Sequence, residues 1–454
     1  MGPEEPARPL YDAMRRASTR RRLHMPGHFG REPRAADFLT WANDLTETEG
    51  LDNLAQPSGV LRDLADRLAR SYGARRVWLS VQGATLPVMA GSLGWAGSGA
   101  SVAMDRGAHK SVLAAAILGN WTVRWVSGTV DPDWGLWIPP PLPSWQAALA
   151  DGFRHCLLVS PTYDGLAGAV GPLTAAGARV FVDAAHGAHF GRHPHLPPHA
   201  LSLGADMAAH GVHKTEPVLT QSGLLVARQD WPAVDAWWRL LGTSSPSYLL
   251  LAGLEAYAVQ RDAGDGGWGA FAAEMWALWD WACARGYRIW QAERARAGDV
   301  VDVAKLTIWG DGPRMARALR ERGYEPEATG LMHVTLEFGP AQGWDDAARR
   351  QAVLAVGAPT VPRVRYAAPP LPTAAMTPAS AWCAPRRRLP LARARGEVAA
   401  TALTPYPPGI PLVMPGERLD GPVVAYLREI RRQGWPVEGL ELDEGAEWLW
   451  IVDA

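Results

Sequence analysis

The chain has 454 residues, 48% of them hydrophobic, and a formal net charge of -1. That length holds one large domain and one or two smaller ones, each with its own core. The balanced charge excludes a global attraction to nucleic acid or an anionic membrane. Cys156, Cys283 and Cys383 lie too far apart in sequence for a disulfide framework or a CxxC knuckle, and no apolar run approaches the roughly 20 residues of a membrane span.

The N-terminus is polar and Pro-rich, without the apolar segment of a secretory signal. With so few cysteines, a reducing, cytoplasmic setting is expected. Of the 45 basic residues only Lys110, Lys214 and Lys305 are lysines. Arginine does not lose its proton near neutral pH, whereas a lysine can do so and attack a carbonyl. A position that stays Lys in an Arg-rich chain is therefore a candidate for amine chemistry. The clusters Arg20-Arg21-Arg22 and Arg386-Arg387-Arg388 are short and read as solvated faces.

In chain order, residues 1–75 read as an arm with a polar, turn-rich middle (Asp44–Gly59) and a helix at Leu61–Tyr72. Residues 76–290 read as the large domain. Short β-rich runs occur there at Arg76–Val81, Ala100–Met104, Thr122–Val126, Cys156–Ser160, Arg179–Asp183, Met207–Ala209 and Gly223–Ala227. Several are continuously apolar, as strands buried on both faces are, and they alternate with helical segments. That pattern predicts an α/β fold with a central, mostly parallel sheet flanked by helices. Two of the runs end in polar clusters, Ser160-Pro161-Thr162-Tyr163-Asp164-Gly165 and Asp183-Ala184-Ala185-His186, where ligands of open α/β sheets bind. The stretch Phe271–Cys283 reads as a buried amphipathic helix. Residues 291–366 read as a smaller α+β domain with strands at Val301–Trp309, His333–Glu337 and Arg363–Tyr366. Residues 367–394 are rich in Pro and Ala and read as a linker. Residues 395–454 read as a C-terminal module with a helix near Val423–Gln433.

Four elements of the large domain carry chemistry. Gln82-Gly83-Ala84-Thr85 follows a strand and opens a helix, where backbone N–H groups and a hydroxyl suit a phosphate. His109, after the second strand, offers an imidazole that can stack on an aromatic ring. Asp183 ends a strand, with His186 three residues on, and a carboxylate there holds a pyridine nitrogen protonated, making the ring an electron sink. Lys214, in His213-Lys214-Thr215, follows the next strand. An acid at one strand end and a lysine about 30 residues on fit pyridoxal phosphate (PLP) held as a Schiff base on Lys214. The histidines His186, His189, His193, His195 and His199 invite a metal site. No acid lies among them, and Pro194, Pro197 and Pro198 interrupt any helix, so a surface loop of hydrogen-bonded imidazoles is expected instead.

Further segments fall in a recurring order: His24-Met25-Pro26-Gly27-His28, Asp44-Leu45-Thr46-Glu47, Leu51-Asp52-Asn53-Leu54 and Ala108-His109-Lys110-Ser111, then the two strand-end clusters, His213-Lys214-Thr215, Ser245-Pro246-Ser247-Tyr248 and Pro405-Tyr406-Pro407-Pro408-Gly409-Ile410-Pro411. With these the chain resembles the ornithine/lysine/arginine decarboxylase family of fold-type-I PLP enzymes, in its short bacterial form. The resemblance implies a decarboxylase of a basic amino acid that yields CO₂ and an amine of polyamine metabolism, in a homodimer or a dimer of dimers. It places Lys214 on the cofactor aldehyde, Asp183 on the pyridinium, His186 near the ring's hydroxyl edge and His109 on the ring. Ala84, Thr85 and His213 would face the phosphate, with Thr243 or Ser244 reaching the phosphate of a neighbouring subunit.

Asp44, Glu47 and Asp52, of this subunit or of its partner, are the candidates for the substrate's distal cation, with capping and turn roles as the other reading. An aminotransferase or β-eliminating lyase would share Lys214 and Asp183, and a catalytically weak PLP-binding paralogue is the third possibility. The sequence departs from the family at several points. Gly211 replaces a Ser or Thr whose hydroxyl contacts phosphate, a bond worth about 1–2 kcal/mol, with His210 as its expected substitute. Ala184 stands where an acid is common, Glu216 where an apolar residue is usual, and Phe29 where a Lys is common.

Overall fold

The computed structural model describes residues 9–32, 37–362, 369–406, 409–443 and 445–453. The expected strand Arg363–Tyr366 and residues Pro407 and Pro408 lie outside them.

Each apolar run between 76 and 227 forms a strand: β1 (Arg76–Ser80), β2 (Ser101–Asp105), β3 (Thr122–Val126), β4 (His155–Val159), β5 (Arg179–Asp183), β6 (Met207–His210) and β7 (Gly223–Ala227). They make one sheet in the order β1-β7-β6-β5-β4-β2-β3. β3, β2, β4, β5 and β6 run parallel, and β7 is antiparallel to both of its neighbours. Side chains alternate along each strand, so each feeds two cores. Val180 and Val182 of β5 pack with the helices α1 (Val60–Tyr72) and, after the sheet, α4 (Tyr248–Asp262). Phe181 packs on the other face with α2 (Thr85–Ala96) and α3 (Lys110–Leu118). Burial of each such Val or Phe contributes roughly 1.5–3 kcal/mol. By the same alternation Asp183 belongs to the α2/α3 face and His210 to the α1/α4 face. The register aligns Val159 with Asp183 and Asp183 with Ala209, so the carboxyl ends of β4, β5 and β6 are level.

A second core gathers Trp134, Trp279 and Trp290 around the antiparallel sheet β8 (Lys305–Trp309), β9 (Ala328–Thr329) and β10 (His333–Glu337), ordered β8-β10-β9. The helix α5 (Trp268–Cys283) buries Phe271, Met275 and Leu278 in this core. Its packing is therefore with the small domain, although a boundary near 290 is expected from the sequence. The N-terminal arm is tied to the same unit, because Arg21–Leu23 pairs in parallel with Tyr324–Pro326. A turn further on, Gly27 donates to the carbonyl of His213 at 2.8 Å. A Cβ at Gly27 would lie 2.4 Å from the Thr215 carbonyl carbon, so only glycine lets the arm close on the Lys214 loop.

The segment expected to be a linker is folded. It carries the helix Pro378–Cys383 and a strand, β11 (Arg386–Pro390). Pro378 is tolerated because it sits in the first turn of its helix, behind Thr377 as N-cap. β11 pairs along its length with β13 (Ala446–Val452), which also pairs with β12 (Glu441–Asp443). Composition hid this strand because its partner lies some sixty residues away. The helix α6 (Gly421–Arg432) completes a separate C-terminal core of Leu391, Leu419, Val423 and Leu449. A bidentate ion pair docks this module: Arg106, just after β2, meets Glu417 at 2.7 and 2.6 Å and donates to the Leu412 carbonyl at 2.6 Å. Both side chains are buried.

Candidate active site

The turn Val212–Thr215 follows β6 and places the Lys214 side chain at the sheet's carboxyl edge. Its Nζ lies 3.0 Å from His186 Nε2. Burial lowers the pKa of Lys214, the Asp183 carboxylate works against this, and the Lys305 ammonium adds to it. Burial and the Lys214 charge together hold His186 well below the usual histidine range, so a neutral imidazole faces the amine. The other ring nitrogen, Nδ1, is buried without a hydrogen-bond partner among the described residues. Asp183 is buried at the end of β5 and its Oδ1 accepts from the Ala185 N–H at 3.2 Å.

The helix α2 begins at a tight turn in which Gly83 has φ +60°. Ala84 is its N-cap, and no side chain caps it. Thr85, the first helical residue, is exposed. The space beside Gly83 is bounded by His213, whose Cε1 would lie 3.6 Å from an added Cβ. His213 uses Nδ1 on the Ser222 carbonyl at 3.0 Å, which leaves its Nε2 edge for a ligand. The Ala84 N–H and the Thr85 hydroxyl are donors at this helix N-terminus, and the His213 ring borders them. The Thr243 N–H donates to Gln82 Oε1 at 2.8 Å, and both Thr243 and Ser244 are exposed beside this turn. His109 caps α3 by accepting from the Ser111 N–H through Nδ1. Thr85 and His109 also line a cavity of about 730 Å³ whose opposite wall is Trp382, Thr401 and Met414.

Within one chain, the acids expected to meet a distal cation have these surroundings. Asp52 accepts from the N–H groups of Asn53, Ser58, Gly59 and Leu61, and it ties down the start of α1. Despite the cost of desolvation, those bonds hold its carboxyl below the usual range. Asp44 and Glu47 are exposed on the arm. Beside His186 the structure brings together Tyr163, Lys305 and two acids of the small domain that the sequence did not single out. Tyr163 sits edge-on to His186 with ring centroids 5.2 Å apart. Its hydroxyl donates to Glu327 Oε1 at 2.7 Å, and Glu327 also accepts from the Met25 N–H at 2.8 Å. Behind Tyr163, Lys305 Nζ meets Glu337 Oε2 at 2.7 Å, both fully buried. Tyr163 belongs to a strand-end cluster visible in the sequence. Glu327 and Glu337 come from the small domain, and no local pattern marks them.

The departures from the family pattern resolve in physical terms. A Cβ at Gly211 would lie 3.3 Å from both Cδ and Cε of Lys214, so the missing side chain leaves room for the lysine stem. His210 cannot replace the lost hydroxyl. Its Nε2 contacts His199 Nε2 at 3.0 Å and its Nδ1 the Ala184 carbonyl at 3.1 Å, on the far face of the sheet. Glu216 pairs with Arg192 at 3.3 Å with both side chains buried. Ala184 and Phe29 are core residues. The histidine stretch is not a surface loop, because His186, His189 and His199 are buried. Among the described residues no group of three or more metal-ligating side chains is gathered.

The donor set suits PLP: a desolvated amine, a buried carboxylate at the next strand end, an open imidazole, and an uncapped helix N-terminus beside His213. Residues 8–268 match the family "Orn/Lys/Arg decarboxylase, major domain", and residues 363–443 match its C-terminal domain. An arginine decarboxylase of Bacillus subtilis is 30% identical over 472 residues, covering 95% of each chain. The lysine decarboxylase structure from Francisella novicida superposes with a TM-score of 0.78 at 15% identity, over 92% of this chain and 76% of that one. A variant of serine palmitoyltransferase from S. paucimobilis, solved with a bound PLP–myriocin aldimine, superposes with a TM-score of 0.55 at 17% identity, over 74% of this chain and 87% of that one. The chain therefore belongs to the Orn/Lys/Arg decarboxylase family, as a fold-type-I amino-acid decarboxylase whose cofactor is pyridoxal phosphate.

Proposed function

We propose that this enzyme decarboxylates a basic amino acid at the cleft formed by Lys214, His186 and Asp183, with arginine the first substrate to assay. The observation that carries the reading is the 3.0 Å contact between Lys214 Nζ and a buried His186, at a strand edge that also ends in Asp183. Arginine comes first because the Bacillus subtilis relative is named for it. Lysine and ornithine are the other members of the class.

In this reading Lys214 carries the cofactor, Ala84, Thr85 and His213 hold its phosphate, His109 covers its ring, and Asp183 keeps the proton on its pyridine nitrogen. When bound, PLP supplies an electron sink for the pair released as the α-carboxyl group leaves. The protein's part is proton control and positioning. Desolvation lowers the pKa of the Lys214 amine, and His186 Nε2 is placed to take or return its proton. Tyr163 and the arm turn at Gly27 border the cleft. Glu327, beside Tyr163, is an acid of the small domain within electrostatic reach of Lys214. The exposed Thr243 and Ser244 suit a second copy of the chain across a homodimer. The product amine places the reaction in amine or polyamine formation, in the cytoplasm.

The test is CO₂ and amine release from arginine, lysine and ornithine, with and without added PLP. Stoichiometric CO₂ and amine from at least one of them is expected. CO₂ from none of them, by protein with a full cofactor absorbance, would sink the proposal in favour of an aminotransferase or an inactive paralogue.

A further inference from the structure

Lys305 is one of three lysines in the chain and the only one with no exposed surface. It stands directly across the β8–β10 pair from Glu337, and its Nζ lies 2.7 Å from Glu337 Oε2. A buried pair of this kind is expensive to desolvate and is a poor source of stability, so its location matters more than its strength. That location is the back of the cleft. The loop after β4 packs on the Lys305 stem: a Cβ at Gly165 would lie 3.3 Å from Lys305 Cγ. The ammonium sits 5.6 Å from the centroid of the Tyr163 ring, within cation–π range. Tyr163 is edge-on to His186 at 5.2 Å, and His186 touches Lys214 Nζ at 3.0 Å. One unbroken run of contacts joins a fixed positive charge in the small domain to the amine at the sheet edge.

We propose that Lys305 is a positioning residue whose charge, pinned by Glu337, acts through Tyr163 and His186 on the Lys214 amine. The proposal rests on the reading of Lys214 as the cofactor lysine. It explains why this position is lysine where the chain elsewhere uses arginine. A compact ammonium satisfies one carboxylate oxygen and one ring face, whereas a guanidinium brings five donors into a site that offers few acceptors. Glu337 Oε1 is buried without a hydrogen-bond partner among the described residues, so the carboxylate bonds through one oxygen.

The charged and titratable groups facing Lys214 are Asp183 on β5, His186 after it, His213 on its own turn, His109 at the start of α3, and Lys305, Glu327 and Glu337 from the small domain. Lys305 favours the neutral amine and Glu337 the protonated one. Removing each therefore moves the amine in opposite directions, which general damage to packing would not do.

The experiment is a pH titration of the cofactor's visible absorbance in the resting holoenzyme, for wild type, Lys305→Met, Glu337→Gln, the double variant and Lys214→Ala. The midpoint, which reports the Lys214 nitrogen while it is joined to the cofactor, is expected to rise by about half a unit to one unit in Lys305→Met and to fall by a similar amount in Glu337→Gln. The double variant, which leaves no buried charge unpaired, is expected between the two and serves as the folded control. Lys214→Ala is expected to lose the absorbance. Midpoints that stay put, or move the same way in both single variants, overturn the proposal when Lys214→Ala has lost the absorbance. A Lys214→Ala protein that retains it overturns the assignment of Lys214 itself.

Discussion

The two faces of the sheet's carboxyl end carry polar clusters of similar size and opposite character. On the α1/α4 face, His199 and His210 contact each other at 3.0 Å, His210 reaches the Ala184 carbonyl, and His199 Nδ1 accepts from the Leu201 N–H at 3.2 Å. The Tyr72 and Tyr257 hydroxyls meet at 2.8 Å, and the Arg261 guanidinium lies 3.8 Å over the Tyr72 ring while donating to Tyr257 and Ser71. Arg192 and Glu216 extend this face as a closed ion pair. On the cleft side, His186 Nδ1, Glu337 Oε1 and Asp302 Oδ2 are buried without hydrogen-bond partners among the described residues. Buried polar atoms are normally satisfied. The α1/α4 cluster is bonded mostly within itself, and the groups around the cleft are the less completely paired of the two.

Four experiments break or sharpen this contrast. Lys214→Ala should lower kcat on the order of 10⁴-fold or more while the thermal midpoint changes little; stopped assays and thermal melts on the same preparation check both. A midpoint that collapses with the activity would show the cleft to be as structural as its opposite face. Glu216→Ala should do the reverse, costing about 3–5 kcal/mol in denaturant unfolding because Arg192 is left buried and unpaired. KM of the protein that remains folded should be unchanged.

The third experiment is pH. Burial lowers the pKa of His210 to about 4 and holds His199 well below its usual value. Both are neutral when folded, so their stabilising contribution is present above about pH 6.5 and is lost as pH falls toward 4. The buried acids Asp105 and Asp164, each pushed up to about 7 by desolvation, act in the opposite direction. The difference between wild type and His210→Asn therefore isolates the histidine. The variant should melt with a shallower fall between pH 7 and pH 5, and parallel curves would refute the assignment. The smallest effect is expected from Asp52→Ala, about 0.5–2 kcal/mol from the lost hydrogen bonds at the start of α1, with kcat/KM unaltered. A rise in KM for one basic amino acid would instead return Asp52 to substrate binding.

The large sheet was legible because each strand is a short apolar run fed by both cores, as Arg-Val-Phe-Val-Asp at β5 shows. Asp183, His186 and Lys214 were visible because they cap such runs, and the structure brings all three to one edge. Asp52 looked the same in sequence as an acid meant for a ligand, since capping and cation binding draw on one carboxylate chemistry. His210 lies one strand position beyond Ala209, and the alternation that turns it to the far face is a property of the strand, not of its own type. Lys305, Glu327 and Glu337 reach the cleft from over 90 residues beyond Lys214, and only the folded small domain places them there. The strand β11 was hidden because Arg and Pro at an edge look like a tether until β13 is seen beside them.

The Arg106–Glu417 pair has a consequence for exchange of parts between relatives. The C-terminal module has its own core, which invites its use as an interchangeable unit. Yet Glu417 from that module holds a residue three positions before His109. A chimaera that joins this large domain to a foreign C-terminal module inherits a buried, uncompensated guanidinium unless the incoming module carries its own carboxylate at the same place. The seam between the two units is in effect a compatibility key, and shuffled libraries should be filtered on that single pair before any choice of crossover point.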